Sequence, residues 1–330
     1  MPLTDRAPVC FVTGASGFVG RNLVPKLAAT HRLRLLVRAG QPLPWFAGLD
    51  CERIDGRLAD DAALAAGVAG ADLVVHLAAL VSFRREDRAA MVRDNAEATA
   101  RLAALARAAR VRRFLHVSTI SAVAFRDRPE VIDETAAYNF APLRIGYCDS
   151  KFAAEEAVRA EVARGLDAVI VNPPSMYGAG DRRKGDGSLV TAVLRGEAAF
   201  APPGGLNVAN VADVADGMLA AIARGRIGER YILGGENLTG RQLLERIAAV
   251  GGGRAPRRTL PAWLVRAAAA ARGFDERLRG SRPPLTSEVL RLAPCFLWYA
   301  SGKAERELGW RAGPVDAGIA AACRDLEPMA

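Results

Sequence analysis

The chain has 330 residues, 51% of them hydrophobic, and a formal net charge of +9. This length fits a large α/β domain with a smaller cap, and the composition excludes a disordered chain. The excess charge is almost all arginine and no basic run interleaves with aromatics, which excludes nucleic-acid binding; scattered solvated arginines account for it, an anionic ligand or membrane surface being the alternative.

Taken in chain order, Val9–Thr13 is a short apolar run that reads as a strand. A glycine turn follows, and apolar periodicity over 18–29 predicts a helix. Leu33–Val37 is a second strand, ending at Arg38 and completing a βαβ unit. Asp72–Leu77 and Phe114–Ser118 read as strands on either side of an Ala-rich helix over 86–110. A helix over 147–164 precedes the strand Asp167–Val171, which Pro173 and Pro174 stop. Strands and helices alternating at this spacing predict a parallel sheet covered on both faces.

After Pro174 glycines, prolines and charges cluster, and Tyr231–Leu233 rejoins the sheet. The segment Pro261–Ala271 predicts a buried cap helix, or one lying on a surface. No apolar run reaches the roughly 20 residues of a spanning helix, and no signal-peptide pattern follows Met1. The expected fold is α/β, a doubly wound parallel Rossmann sheet with a smaller, discontinuous, mainly helical C-terminal substrate cap. Its dinucleotide-binding domain is 1–174 with a returning segment near 206–235, and the cap is 175–205 and 236–330. The five cysteines form no CxxC pair and read as reduced thiols of a cytoplasmic protein. The three histidines lack metal-ligand spacing, so no metal is expected.

Chemistry concentrates in two motifs. In Thr13-Gly14-Ala15-Ser16-Gly17-Phe18-Val19-Gly20, between strand and helix, Gly14 permits the tight turn, Gly17 lets backbone approach a pyrophosphate, and Gly20 lets the helix pack close. The N–H groups opening the helix then face phosphates. An acidic residue after the second strand would bind both ribose hydroxyls of NAD(H). Arg38 stands there instead and suits a 2′-phosphate, so NADP(H) is favoured with NAD(H) as the alternative; Arg34 and Arg21 are further candidate cations.

The second motif is Tyr147-Cys148-Asp149-Ser150-Lys151. Its i, i+4 spacing puts Tyr147 and Lys151 on one helix face. A phenol is too weak an acid to act as a base near neutrality until an adjacent ammonium favours the phenolate. Lys151 can also hold the nicotinamide ribose. Thr119, at the carboxyl end of a strand, is the candidate to bind the substrate oxygen, with Ser118 and Ser121 as rivals. Asn95 reads as an anchor for that strand or a relay water, or as a helix amide bonded to backbone.

These motifs resemble the extended short-chain dehydrogenase/reductase superfamily. The likeness runs through TGASGFVG (13–20), HLAA (76–79), DNAEAT (94–99), VSTIS (117–121), YCDSK (147–151), NPPSMYG (172–178) and SGKAERELGW (301–310). Within it the chain most resembles the hopanoid-associated sugar epimerase branch, through GERYILGGENLT (228–239). Dihydroflavonol reductases and 3β-hydroxysteroid dehydrogenases are neighbouring branches. The resemblance implies a catalytic set of Thr119, Tyr147 and Lys151, with Leu77, Ala78 and Ala79 along the cofactor and Pro173 and Ser175 near the nicotinamide. Ser16, Phe18, Val19 and Leu58 complete the cofactor set.

Two departures stand out. Gly56-Arg57-Leu58 replaces the family's Gly-Asp-Leu, so Arg57 would stack on adenine or reach a phosphate; Ala122-Val123-Ala124-Phe125 replaces a VYG motif, which weakens a sugar substrate. Candidate substrate contacts are Ser82, Phe83, Ser121, Asn172 and Met176. Further cap aromatics, Trp263, Phe296, Trp298 and Tyr299, read mostly as core.

The leading expectation is an NADP(H)-dependent oxidoreductase acting on a secondary alcohol or ketone, with a bulky apolar substrate if the cap aromatics line the cleft. A nucleotide-sugar epimerase is the alternative, in which Arg182, Arg183 and Lys184 would meet the diphosphate, although they read first as a solvated loop; a non-catalytic NADP(H) sensor is the remote one. The partner is a small molecule. A homodimer through two long helices and peripheral membrane contact stay open.

Overall fold

The computed structural model describes residues 7–181, 188–281 and 283–326. The first half alternates β1 (Val9–Thr13), α1 (Phe18–Ala28), β2 (Arg32–Val37), β3 (Cys51–Asp55), α2 (Asp61–Val68) and β4 (Leu73–His76). A continuous helical run follows: α3 (Arg88–Met91), a π-helical segment (Val92–Glu97) and α4 (Ala98–Ala108). Then come β5 (Arg113–Val117), α5 (Gly146–Val162), β6 (Ala168–Asn172) and β7 (Ser175–Tyr177). The remainder is α6 (Leu189–Leu194), β8 (Gly205–Asn210), α7 (Val211–Arg224), β9 (Arg230–Ile232), β10 (Glu236–Thr239), α8 (Gly240–Gly251), α9 (Ala262–Arg279), α10 (Ser287–Leu292), β11 (Phe296–Leu297), α11 (Gly302–Leu308) and α12 (Asp316–Arg324).

Seven parallel strands form the main sheet in the order β3-β2-β1-β4-β5-β6-β9. The chain winds outward from β1 through β2 and β3, then crosses to β4 on β1's other side. That reversal opens a crevice at the carboxyl ends of β1 and β4, where open α/β sheets bind ligands. Strands covered on both faces have no solvent side, so VCFV and AVIV are unbroken apolar runs, each followed by a buried polar residue. One core joins the sheet to α1, α7 and α11; the other joins it to α2, α4 and α5.

The sheet corrects the sequence reading in one strand. β3, CERID, was not anticipated because it is an edge strand with mostly exposed side chains and no apolar run. The helical C-terminal region is present, and it carries a second sheet in which β8 pairs with β7, β10 and β11. β8 falls within the expected return at 206–235 yet belongs to this sheet; α7 and β9 are the parts that rejoin the main one. The helix expected to be buried, α9, buries only Val265 and Ala269, and Trp263, read with the core aromatics, is 69% exposed.

Candidate active site

The glycine turn closes tightly because Gly17 N–H donates to the Gly14 carbonyl at 3.0 Å. Gly14 has φ +76°, and a Cβ there would lie 2.6 Å from Ala78 N. Any side chain would therefore push the turn off the end of β4. A Cβ on Gly20 would meet the Ala15 carbonyl at 2.2 Å, so α1 seats directly on turn backbone. Gly17 caps α1 without a side chain and the first turn carries no acid. The result is a floor of backbone amides at a positive helix end, a fit for a dinucleotide pyrophosphate.

A buried polar chain fixes the wall beside that floor. Thr99 Oγ1 donates to the Asn95 carbonyl at 2.5 Å, so toward His76 it accepts, from Nε2–H at 2.8 Å. His76 Nδ1 then accepts from Thr13 Oγ1 at 2.7 Å, and Thr13 Oγ1 accepts from Ala78 N–H at 3.3 Å. Burial, with Lys151's charge second, pushes His76 down to about 3 and keeps it neutral. Asn95, in the π-helical segment, accepts from Leu80 N at 2.7 Å and donates to Leu80 O at 2.9 Å and Ser150 Oγ at 3.0 Å. Residues 77–80 are thus clamped to β1 and, through Ser150, to α5. Asn95 bonds backbone, as one reading of its sequence position had it.

Tyr147 stands in the first turn of α5, half-buried, with Phe83 edge-on at 5.7 Å between ring centroids. One turn on, Lys151 is 2% exposed and donates to the Val117 carbonyl at 2.9 Å. Burial lowers its pKa to about 8, and Glu155 opposes that fall. The fully buried Glu155 accepts from Asn172 Nδ2 at 2.6 Å and from Arg230 at 2.6 Å. Asn172 also donates to the Thr119 carbonyl at 2.8 Å. Thr119 Oγ1 caps the turn after β5, accepting from Ser121 N–H at 3.2 Å.

The remaining expected residues divide. Leu77, Ala78 and Ala79 follow β4 beside the glycine turn. Ser16, Phe18 and Val19 lie in that turn and the start of α1. Pro173 is buried, its carbonyl bonded to Ile120 N–H at 3.0 Å, and Ser175 and Met176 are half-buried in β7. Arg38 and Arg57 are exposed at the carboxyl ends of β2 and β3; Arg38 donates to Gln41 at 3.2 Å, and Leu58 packs inward. Arg34 is committed elsewhere, to Glu52 and the last carbonyls of α2, and Arg21 lies over the Trp45 ring at 3.6 Å.

Two of the expected substrate contacts have protein partners of their own. Ser82 donates to Asp87 at 2.6 Å and accepts from Arg84 N–H at 3.1 Å, shaping its own loop. Asn172 is fully buried and bonded to the Thr119 carbonyl and to Glu155. Phe83 and Ser121 are half-buried. Arg182, Arg183 and Lys184 lie outside the described residues. Sequence reasoning missed His76, Thr13, Thr99 and Glu155. Glu155 carried a signal, since it repeats the i, i+4 step from Lys151; the others meet only through tertiary contacts.

The sequence signature of the NAD dependent epimerase/dehydratase family matches residues 10–234. A Synechocystis sp. protein with the provisional name dihydroflavonol 4-reductase is 32% identical over 91% of this chain and 89% of its own length. The Stigmatella aurantiaca 4-hydroxy-2-methyl-3-oxo-4-farnesyl-3,4-dihydroquinoline-1-oxide ketoreductase is 34% identical over 91% of each chain. Among solved structures, a nucleoside-diphosphate-sugar epimerase from Pseudomonas aeruginosa superposes with TM-score 0.77 at 28% identity, over 97% of each chain.

Proposed function

This chain belongs to the NAD dependent epimerase/dehydratase family of extended short-chain dehydrogenases/reductases, and on that premise we propose that it is an NADP(H)-dependent reductase or dehydrogenase of a bulky, apolar secondary alcohol or ketone. Membership alone makes it an NAD(P)-dependent oxidoreductase or epimerase. When bound, the nicotinamide supplies or accepts the hydride. The chain's own part is to hold the substrate oxygen and move its proton. Tyr147 gives that proton on reduction and takes it on oxidation, and Thr119 Oγ1 orients the same oxygen. Lys151 lowers the proton affinity of the phenol and holds the ribose. The glycine turn holds the pyrophosphate, and Arg38 and Arg57 hold the 2′-phosphate end.

The observation carrying this reading is the buried Lys151 ammonium one helical turn from Tyr147, beside the end of β5. An ammonium that water cannot screen acts strongly on a nearby phenol. For the substrate, support comes from Phe83 against Tyr147 and from the farnesylated substrate named for the Stigmatella relative. Tyr147→Phe should lower kcat by a factor of about 10² or more while NADPH binding, followed by fluorescence titration, stays within a few-fold. Unchanged turnover would remove Tyr147 from the mechanism.

A sugar-nucleotide epimerase is the second reading, favoured by the Pseudomonas structure. Cofactor that survives dialysis on the purified protein would select it; cofactor exchanging at each turnover selects the reductase. The proposal also carries a homodimer through α4 and α5 and a reducing cytoplasmic setting, the latter supported by five cysteines all present as thiols.

A further inference from the structure

α9 is 18 residues long, and among the described residues the chain packs against only one side of it. Val265 and Ala269 are buried toward α10. At 3.6 residues per turn, positions 263, 267, 270, 274 and 278 share a stripe about 80° wide and about 22 Å long. They are Trp263, Ala267, Ala270, Phe274 and Leu278, and the three large ones are 69%, 66% and 68% exposed. Leu264 at 41% and Leu285 at 51% extend the patch. Ala201 pairs with Thr259, which brings the half-exposed Phe200 to the entrance of α9. Scattered exposed hydrophobics are ordinary, but an aligned set marks an interaction face.

Charge decides the occupant. Arg266, which also pairs with Asp127 at 3.3 Å, and Arg277 border the stripe, and Arg254, Arg257 and Arg258 are exposed on the approach to it. The carboxylates of α9 are turned to internal work: Asp275 accepts from Ser281 Oγ at 2.6 Å, and Glu276 accepts from Ser287 N–H at 2.8 Å and Ser287 Oγ at 2.6 Å. The stripe is therefore apolar with a basic margin. A second copy laid face to face would bring net-positive helices together, whereas an anionic lipid surface satisfies both features. Among the described residues no helix is long and apolar enough to cross a bilayer. The hairpin is also fixed to the body: Glu288 of α10 accepts from Gly146 N–H at 3.2 Å, and Thr286 Oγ1 donates to Phe83 O at 2.7 Å.

We propose that α9 docks this protein onto an anionic phospholipid surface, with Trp263, Phe274 and Leu278 entering the headgroup boundary and the neighbouring arginines meeting lipid phosphates. The test is co-sedimentation of the full chain with phosphatidylcholine vesicles, with and without phosphatidylglycerol. Anionic vesicles should pellet most of the protein at low salt, neutral ones little, and high salt should weaken the binding. The double variant Phe274→Asp/Leu278→Asp should bind at least about tenfold more weakly, with melting temperature and turnover unchanged; Trp263→Ala should lose part of the binding. Equal pelleting with neutral vesicles, or binding indifferent to the double variant, would overturn the proposal. So would a dimer in sedimentation velocity that the double variant dissolves while vesicles fail to pellet the protein, since the face would then join two copies.

Discussion

Lys151 holds its charge where water does not reach, and its pKa is set by two opposed causes. Burial pushes it down to about 8, and the Glu155 carboxylate one turn away holds it up. Glu155→Gln removes the opposing charge, so the ammonium is lost at lower pH. The alkaline limb of kcat/KM should move toward acid, with a loss of about tenfold at pH 8 and less at pH 6.5. Glu155→Asp should restore part of it, and a uniform loss at all pH would reduce Glu155 to a packing residue. On the proposed reading, Arg38, exposed at the end of β2, is the residue that would meet the other end of the cofactor. Arg38→Asp should weaken NADPH binding by about tenfold or more and leave NADH within a few-fold; equal losses in titrations with both would refute the 2′-phosphate role. Spacing and position singled out Tyr147, Lys151 and Arg38, and what the structure adds is their placement, the first two a turn apart in α5 and the third at the end of β2. The burial of Asn172 and its bond to Thr119 were not legible, because a polar residue at a strand end looks the same in sequence whether it is exposed or enclosed.

Between elements, the decisive contact is α1 on the β1 turn. Gly20→Ala would put a methyl 2.2 Å from the Ala15 carbonyl, a backbone atom that cannot swing aside. A cost of about 1–3 kcal/mol in urea unfolding is expected, along with weakened NADPH binding; an unchanged midpoint would mean that the helix can slide. The π-helical segment is a second such device. It lets Asn95 reach both polar groups of Leu80 while α4 continues along the sheet. The sequence announced one long helix here and could not announce the wider turn, which answers to the loop it must grip. α9 was misjudged for a related reason: an Ala-rich apolar segment has the same pattern buried or exposed.

At the scale of the whole molecule, the sheet buries two histidines. His76, ordinarily near 6.5, is held at about 3, and His116 is also lowered, chiefly by burial. Neither ring nitrogen of His116 has a hydrogen-bond partner among the described residues. Between these folded values and 6.5 the unfolded chain binds protons that the folded chain refuses. Stability present above pH 6.5 is therefore lost as pH falls through that window. For His76 alone the loss at pH 5 is about 2 kcal/mol. Urea titrations at pH 7 and 5 should show it, and His116→Leu should narrow the gap; an unchanged gap would exclude His116 from the acid response. The sequence by itself determined the parallel sheet, the glycine turn and the family, because these depend on local periodicity and on residues a few positions apart. Only the tertiary structure decided which polar groups are walled in together, where the edge strand lies and which face of α9 stays bare. Burial is a property of what the rest of the chain packs against, and no window of sequence contains it.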